Sequence, residues 1–375
     1  MPFLPIGTPR SLPSIALTYT LRQNRAPTVP NSRRRFEEET QSAALTAARG
    51  DDGVAAPCQH HVVRSLSRRP WRIRGAAIVV LAVAVAGLLV FPRAVPNAVG
   101  QLGSLVETFL PWLGLSVPVL LGLAWWRRSG VAALAALLPV AAWLGVFGGH
   151  LGSPPGSPHD LVAVQHNVSD ENADPAATVR ELLKVGPGLI ALEEVTPAAL
   201  AAYAAAMPAE YAHHTVQGTV GLWSRYPLSE ARLLDIRPRD VGTDWNRGLR
   251  AVARMPGGDV AVYVAHLPSM RIGVSGLGSA RRNESAARLG AAIAADPLGK
   301  VLLLGDLNYT VDDRELAPIS ALLSTAESTF AFSWPARAPV ARIDQIMGRS
   351  VTVTEVWALP ATGSDHLPIA ARIRL

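Results

Sequence analysis

The chain has 375 residues, one cysteine and a net charge of +6. A single cysteine excludes an intrachain disulfide, so packing must hold the fold in any redox compartment. The charge is uneven, because residues 1–74 carry twelve Arg and five acidic residues, whereas residues 152–375 carry twenty Lys and Arg against twenty-three Asp and Glu. The C-terminal part therefore lacks the net positive charge typical of proteins that bind nucleic-acid backbones.

The first 70 residues are rich in Pro, Ser, Arg and Gln and show no helical or strand periodicity. This composition predicts a disordered basic N-terminal tail at residues 1–70. A second Pro/Gly/Ser-rich stretch at residues 151–159 predicts a linker. These two stretches divide the chain into the tail, an apolar region at residues 71–150, the linker, and a domain at residues 160–375.

The apolar region contains three uncharged or nearly uncharged spans, Gly75–Phe91, Leu102–Trp126 and Gly130–Gly149, with Glu107 as the one charge inside them. Each has a length that suits a bilayer-crossing helix, for which about 17–25 residues are needed. They predict a three-helix transmembrane anchor, with the lipid bilayer as a partner; no obligate protein partner is indicated.

Arginines flank these spans unequally. Five lie between residues 64 and 74, Arg93 lies in the first loop, and Arg127 and Arg128 lie in the second loop. Because positive residues accumulate on the cytoplasmic side, this distribution predicts a cytoplasmic N-terminus. Three spans would then place the C-terminal domain outside the cell, in a multi-pass protein of the plasma membrane.

From Asp160 onwards, short apolar runs alternate with helical patterns, and two of the helices follow prolines that suit a first helical turn. This alternation predicts an α+β or α/β sandwich. The predicted strands are Leu161–His166, Leu189–Glu193, Val220–Ser224, Leu249–Met255, Val260–His266, Val301–Leu304, Ile343–Met347, Val353–Leu359 and Ile369–Ile373, and the predicted helices are Ala176–Val185, Ala198–Met207 and Ser279–Ala295.

Polar side chains that can bind metal or move protons follow or adjoin many of these strands. Sheets of this kind place their functional sites on the loops at one edge, although a single Asp or Asn after a strand is usually a turn-former. The residues are Asn167, Glu193, Glu194, His266, Asp306, Asn308, Asp344, Asp365 and His366.

Six short motifs occur in a fixed order around these residues, namely LEEV (Leu192–Val195), SRYPL (Ser224–Leu228), AHLPS (Ala265–Ser269), GDLN (Gly305–Asn308), RIDQI (Arg342–Ile346) and SDHLP (Ser364–Pro368). In this order they resemble the endonuclease/exonuclease/phosphatase, or deoxyribonuclease-I-like, superfamily. The resemblance implies an α+β four-layer sandwich, in which two packed β-sheets are flanked by helices. In the chain this domain is preceded by the three predicted transmembrane helices. The architecture also resembles actinobacterial membrane-anchored members linked to teicoplanin-type resistance.

The resemblance implies phosphoester hydrolysis with Mg²⁺ or Mn²⁺, for which a hard cation needs few carboxylates because it keeps several waters. Glu194 is the predicted metal ligand, with Asn167 and Asp365 as neighbours. Asp306, helped by Asn308, would orient or deprotonate the attacking water.

Two histidines complete the implied set. His366, with Asp344 as its partner, is an alternative general base or a charge stabiliser, and the sequence leaves open which of Asp306 and His366 is the base. His266 would bind the phosphoryl group or protonate the leaving group. Candidate substrate contacts are Arg225, Asn246, Arg247 and Arg250, although Arg225 also fits a structural role and the other three fit solvated surface positions better.

Two positions depart from the family pattern. Glu193 stands where relatives have Gln, and Ser169 stands where several nucleases have an acidic residue, which weakens the nuclease interpretation. We therefore expect a membrane-anchored phosphoester hydrolase acting on a lipid-linked or cell-envelope phosphate, or on a phosphorylated small molecule. The alternatives are an extracytoplasmic metal-dependent nuclease, which makes nucleic acid a less favoured partner, and a non-catalytic interaction module.

Overall fold

The computed structural model describes residues 75–152, 156, 158–273, 276–326 and 329–375. The predicted tail at residues 1–70, the arginines between residues 64 and 74, and part of the predicted linker at residues 151–159 lie outside the described residues.

In the C-terminal domain the nine predicted strands and three predicted helices are all present, together with four further strands. The helices are α1 (Ala76–Val90), α2 (Leu102–Thr108), α3 (Ser116–Trp126), α4 (Gly130–Ala135), α5 (Leu137–Phe147), α6 (Pro175–Leu183), α7 (Pro197–Ala206), α8 (Ala280–Ala294) and α9 (Ala317–Ser320). The strands are β1 (Leu161–Asn167), β2 (Leu189–Glu193), β3 (His213–Gln217), β4 (Val220–Ser224), β5 (Leu228–Leu233), β6 (Gly248–Met255), β7 (Gly258–Ala265), β8 (Arg271–Gly273), β9 (Gly276–Gly278), β10 (Val301–Asp306), β11 (Asp344–Arg349), β12 (Thr352–Ala358) and β13 (Ile369–Arg374).

Two mixed sheets form the centre of the domain. The six-stranded sheet has the order β12-β13-β1-β2-β4-β3, and the five-stranded sheet has the order β11-β10-β7-β6-β5. β1 pairs with β2 in parallel, as β10 does with β7, whereas the other pairs in these sheets are antiparallel. Both parallel pairs place the carboxyl ends of their strands together, which concentrates the strand-end loops at one edge.

Three apolar cores separate four layers. Alternate residues such as Ala163 and Leu189 of one sheet and Leu304 of the other share the core between the sheets. The opposite faces pack against helices, α6 and α7 on the six-stranded sheet and α8 and α9 on the five-stranded sheet. This order of helices, sheet, sheet and helices confirms the predicted four-layer α+β sandwich, since successive strand residues face opposite sides of a sheet.

The predicted anchor of three straight spans is only partly reproduced. The run Gly130–Leu151, which contains α4 and α5, is 22 residues long and apolar enough to cross a membrane. α1 has 15 residues, which gives a length of about 22 Å at about 1.5 Å per residue. The predicted span Leu102–Trp126 is bent by 71° between α2 and the helical run Leu110–Trp126. Pro111 lies at this bend, where it cannot donate a helical hydrogen bond.

α2 does not behave as part of a lipid-facing helix, because its charged residue contacts the C-terminal domain. The Glu107 side chain is 1% exposed and lies 2.8 Å from the Arg314 guanidinium. Ser104 Oγ donates to Asp313 Oδ1 at 2.9 Å, and Asn97 Nδ2 donates to Glu315 Oε1 at 2.9 Å. We call this set of contacts the polar junction; it joins the first loop and α2 to the segment that precedes α9.

Candidate active site

The alternation of side chains along four strands brings polar groups into the space between the sheets. Leu302 and Leu304 of β10 face the inter-sheet core, so Asp306 at the end of the strand faces the same way. Asp306 is paired in register with Asp344, the first residue of β11. On the six-stranded sheet, Asn167 is paired with Glu193 at the ends of β1 and β2. All four residues are buried, which makes this edge the polar end of an otherwise apolar layer.

His366 is oriented by Asp344. Its Nδ1 lies 2.8 Å from Asp344 Oδ2, and its backbone N–H donates to Ser364 Oγ at 3.0 Å. Asp344 Oδ1 accepts a hydrogen bond from Gln165 Nε2 at 3.0 Å. Gln165 and His366 thus engage both oxygens of Asp344. Asp344 in turn fixes the orientation of the His366 ring, so that His366 Nε2 points towards the remaining polar groups.

Asp306 lies at the centre of those groups. Its Oδ2 accepts from Asn167 Nδ2 at 3.1 Å and lies 3.6 Å from His266 Nε2 and 3.8 Å from His366 Nε2. Its Oδ1 accepts from the Asn308 backbone N–H at 3.0 Å, and the Asn308 side chain donates to the Leu267 carbonyl. A carboxylate approached by two imidazoles and an amide is arranged for proton transfer or for orienting a water.

Glu194 and Arg247 border the same space. Glu194 Oε1 lies 3.8 Å from His266 Nε2, and the Glu194 side chain keeps 27% of its surface exposed. Arg247 Nη1 lies 3.2 Å from His266 Nδ1 and 3.3 Å from His266 Nε2. The site therefore has a carboxylate and a guanidinium at its rim, where a cation and a phosphate group could be held side by side.

Three residues at this edge have left-handed backbone conformations, Ser169 (φ 62°), Glu194 (φ 61°) and Asn308 (φ 54°). Non-glycine residues adopt such conformations at a cost of about 1–3 kcal/mol. The loops after β1, β2 and β10 each contain one of these residues. The surrounding contacts must therefore stabilise all three left-handed conformations. Such clustering of backbone strain is characteristic of functional sites.

The charges of the site are set by burial and by neighbouring groups. Burial raises the pKa of Asp306 to about 7, helped by Asp344 and opposed by His366. Burial would lower the pKa of His366, but the charges of Asp344 and Asp306 outweigh it and raise that pKa to about 10. Burial, with the nearby Arg247 charge, holds the pKa of His266 well below its usual value. The arrangement therefore favours a charged His366 beside a neutral His266.

Glu193 lies in a different environment from Glu194, its neighbour in the sequence. Its side chain is buried and accepts from Gln165 Nε2 at 2.7 Å. Burial and the Asp344 charge raise the pKa of Glu193 well above its usual range, despite the Gln165 hydrogen bond. A neutral Glu193 explains how an acid can occupy a position where the family resemblance implies the uncharged Gln.

Two further predicted residues lie beside the cluster without a side-chain contact to it among the described hydrogen bonds. Asp365 is exposed, and its charge contributes to the raised pKa of His366. Asn246 precedes Arg247, and its carbonyl accepts from the Thr219 N–H at 3.1 Å. Their predicted roles in metal and substrate binding stay predictions.

The structure places two of the predicted substrate contacts away from the cluster. Arg225 follows Ser224, which is paired with Leu189 at the opposite end of β2 from Glu193. Its guanidinium pairs with Glu210 at 2.7 Å. Arg250 is paired with Tyr263 on the face that packs against α8, away from the space between the sheets. Strand direction and side-chain alternation therefore remove both arginines from the site.

Arg250 instead holds the sheet to the loop after α8. Its side chain is 1% exposed, its Nε lies 3.0 Å from Asp296 Oδ2, and Nη1 contacts Glu230 at 2.6 Å. We expect Arg250→Met to lower the free energy of unfolding by about 3 kcal/mol, because Asp296 would remain buried without its partner. Chemical denaturation measures this change. The control Arg239→Met breaks an exposed pair with Glu284 and should cost under about 1 kcal/mol; equal losses would contradict the assignment.

Divalent metal fits the oxygen donors at this edge. Asp306, Asp344 and His366 offer ligand atoms that all lie within 4.8 Å of one another. Asp344 is engaged by His366 and Gln165, and Asp306 Oδ2 accepts from Asn167. The partly exposed carboxylate of Glu194 is therefore the most accessible oxygen donor for a cation, with the Asn167 amide nearby. Mg²⁺ prefers such oxygen ligands and completes its shell with water.

Three residues at the site were underestimated or missed by the sequence analysis. Arg247 was favoured as a surface residue, and Gln165 and Ser364 were given no role. Gln165 has the same inward alternation as Asn167 on β1, which is a signal that sequence periodicity could have revealed. Ser364 Oγ donates to the Asn167 carbonyl at 2.7 Å, a contact between distant segments that sequence alone does not indicate.

Comparison with known proteins agrees with this geometry. The profile of the Endonuclease/Exonuclease/phosphatase family matches residues 149–366. No curated protein matches the chain.

Solved structures with a similar fold each cover just over half of this chain. Beta toxin of Staphylococcus aureus with bound magnesium ions is 17% identical and covers 57% of this chain and 99% of its own, with a TM-score of 0.45. Sphingomyelinase C of Streptomyces griseocarneus is 20% identical and covers 58% of this chain and 99% of its own, with a TM-score of 0.43. TDP2 of D. rerio, complexed with a single-strand DNA product, is 17% identical and covers 57% of this chain and 99% of its own, with a TM-score of 0.48.

Proposed function

Because the chain belongs to the Endonuclease/Exonuclease/phosphatase family, we propose that it is a membrane-anchored, metal-dependent phosphoester hydrolase acting on a lipid-linked or cell-envelope phosphate. The observation that carries the proposal is the convergence of His266 and His366 on Asp306, with each Nε2 within 3.8 Å of Asp306 Oδ2, and with Glu194 at the rim. This arrangement provides a base, a cationic donor and a metal-binding carboxylate in one space.

The reaction assigned to the site is attack of water on phosphorus. Asp306, with its raised pKa of about 7, takes a proton from the water. At the same time the water oxygen bonds to phosphorus and the ester P–O bond breaks. His366, held charged by Asp344, donates a hydrogen bond to a phosphoryl oxygen as negative charge develops there. The neutral His266 fits phosphoryl binding better than proton donation, and Arg247 faces the same oxygens. The proton for the leaving oxygen comes from His366 or from solvent.

A bound Mg²⁺ or Mn²⁺ would neutralise phosphoryl charge and polarise the phosphorus. Glu194 and Asn167 are the residues that would hold it, with Asp365 as a further candidate, while Asp306 stays available to the attacking water. We expect chelation by EDTA to abolish hydrolysis and Mg²⁺ or Mn²⁺ to restore it. Mg²⁺ should also raise the melting temperature of the wild type but not of Glu194→Gln, since binding to the folded state stabilises it. Activity that survives EDTA would contradict this assignment.

The anchor proposal draws support from contacts at its two ends. The start of α1 lies against the start of α4, so close that a Cβ on Gly75 would overlap Ser129 Oγ. At the other end, the Pro92 carbonyl accepts from Arg314 of the C-terminal domain at 3.0 Å. Arg127 and Arg128 thus lie at the end away from the domain. Under the positive-inside rule this fits a plasma-membrane protein with a cytoplasmic N-terminus and an extracellular C-terminal domain.

A substrate comparison tests the proposal. The purified full chain with Mg²⁺ is given polyprenyl pyrophosphate, a phospholipid, bis-(p-nitrophenyl) phosphate and supercoiled plasmid. Metal-dependent turnover of a lipid phosphate supports the proposal. Efficient plasmid nicking with no turnover of lipids would favour the nuclease alternative, and no hydrolysis of any phosphoester would favour a non-catalytic module.

A further inference from the structure

The anchor and the C-terminal domain meet along a second contact besides the polar junction, and this one is aromatic. Trp112 and Phe332 are stacked with ring centroids 5.5 Å apart, and His150 and Phe330 are stacked at 4.9 Å. The Trp112 indole also donates to the Val340 carbonyl at 2.7 Å. We call this contact the aromatic seam; its rings come from Trp112, Trp143, Phe147 and His150 of the anchor and from Phe330 and Phe332 of the domain.

The segment that supplies the domain's side of the seam also contacts the active site. Phe332 is followed directly by Ser333, whose carbonyl accepts from the Leu367 N–H at 2.7 Å. A little further on, the Ala336 N–H donates to the Asp365 carbonyl at 2.7 Å. His366 is therefore bracketed on both sides by hydrogen bonds to the segment that carries the seam. The seam lies next to the catalytic groups, and not at a remote surface.

A small cavity lies against the seam and has walls from both parts of the chain. Its anchor wall includes Pro111, Phe147 and His150, and its domain wall includes Thr310 and Arg342. Thr310 belongs to the loop after β10 that carries Asn308, and Arg342 lies on the segment that leads into Asp344. The cavity thus connects the anchor with the two segments that supply Asp306 and Asp344.

The anchor surface beyond the seam is apolar and exposed. Leu115 is 61% exposed, Val119 is 60% exposed and Leu144 is 50% exposed. Helices with such surfaces suit a hydrocarbon environment, in which backbone groups are satisfied within the helix. The aromatic seam thus adjoins helices with exposed apolar side chains on one side and, on the other, a segment hydrogen-bonded to the neighbours of His366.

The polar junction holds the anchor in a fixed position against the C-terminal domain. The buried Glu107–Arg314 pair and the bond between Ser104 and Asp313 tie α2 to the domain, and the bend at Pro111 then turns the chain into the seam. Removing one partner of a buried pair is costly. The anchor is accordingly held against the domain by buried polar contacts and is more than a flexible tether.

From this arrangement we infer that the aromatic seam binds the apolar chain of a lipid phosphate or pyrophosphate while its phosphate occupies the space between Asp306 and His366. The inference rests on the proposed phosphoester hydrolysis and adds a chain-binding subsite built jointly by anchor and domain. It commits to a lipid chain as the occupant, because the seam joins a bilayer-facing surface on one side and the catalytic loops on the other.

The test compares substrates with and without a chain. The purified full chain in detergent micelles with Mg²⁺ is assayed on polyprenyl pyrophosphate and phosphatidic acid as separate lipid substrates, and on bis-(p-nitrophenyl) phosphate as the soluble one. We expect Trp112→Ala and Phe332→Ala each to lower kcat/KM for a lipid substrate about tenfold, as loss of an aromatic contact surface implies. Both should leave the soluble reaction within about twofold. Trp125→Ala, 85% exposed on the anchor, is the matched control and should change neither.

The outcomes separate the inference from the proposed function. Equal losses on lipid and soluble substrates would show that the seam is only structural and would overturn the inference, as would unchanged lipid turnover in both variants. Turnover of soluble phosphoesters alone leaves the hydrolase intact and overturns the lipid-chain subsite. If the wild type hydrolyses nothing, the proposed function fails, and photolabelling with a diazirine-bearing phosphatidic acid decides the seam: labelling at Trp112 or Phe332 supports it, and labelling elsewhere overturns it.

Discussion

Asp306→Asn is expected to lower kcat by about 10²–10⁴-fold, the range typical of losing a general base. Asn keeps the shape of the side chain and can still accept from the Asn308 N–H, but it cannot take a proton from water. Purified variant and wild type are compared on the best phosphoester substrate at saturating Mg²⁺. Circular dichroism and melting temperature show whether the fold is retained.

The pH profile distinguishes a base from a group that merely holds the site together. The pKa of Asp306 is raised to about 7, so the active carboxylate is lost as the pH falls through that value. We expect wild-type activity to rise with pH through about 7, and the residual activity of Asp306→Asn to be flat there. Asp259→Asn, the same change at the exposed start of β7, should keep the wild-type profile. An unchanged profile in Asp306→Asn would contradict the assignment.

His366→Gln is expected to reduce kcat by a similar factor, about 10²–10⁴-fold. The charges of Asp344 and Asp306 raise the pKa of His366 to about 10, so the imidazolium persists through neutral pH and is lost only as the pH rises towards that value. Gln can donate a hydrogen bond but carries no charge, and it therefore loses most of the stabilisation of the phosphoryl oxygens. Steady-state kinetics at pH 7 measure the effect. His213→Gln, at an exposed histidine on β3, is the control and should be neutral.

A double-mutant cycle tests whether Asp344 works through His366. In the wild type, Asp344→Asn should lower kcat because it removes the partner of His366 Nδ1 at 2.8 Å. In the His366→Gln background, the same change should have little further effect, since residues that act as a unit are not additive. Fully additive losses would mean that Asp344 acts independently, for example on a metal ion.

Much of the domain could be predicted because its determinants are local. Prolines at 175 and 197 begin α6 and α7, and apolar runs such as Leu189–Glu193 became buried strands. Alternation along β1 and β10 directs Asn167 and Asp306 to the same side as the apolar residues before them. Short motifs at strand ends therefore indicated which residues would meet, although their catalytic roles stay predictions.

The two predicted arginine contacts lie away from the cluster because the position of a side chain depends on partners distant in sequence. Arg225 and Arg250 have the charge that a phosphate contact needs, but the antiparallel direction of β4 and the outward face of β6 place them elsewhere. Arg247, three residues before Arg250, faces His266 instead. Charge is a property of the residue, whereas its position in the site depends on sheet register.

The sequence by itself determined the four-layer architecture, the apolar character of residues 75–149 and the set of polar groups at the strand ends. Tertiary structure alone decided that Glu107 pairs with Arg314 and that Trp112 stacks on Phe332. The physical reason is the range of the interactions. Periodicity and turn chemistry act over a few residues, whereas an ion pair or an aromatic contact between segments 200 residues apart exists only once the sheets and helices have packed.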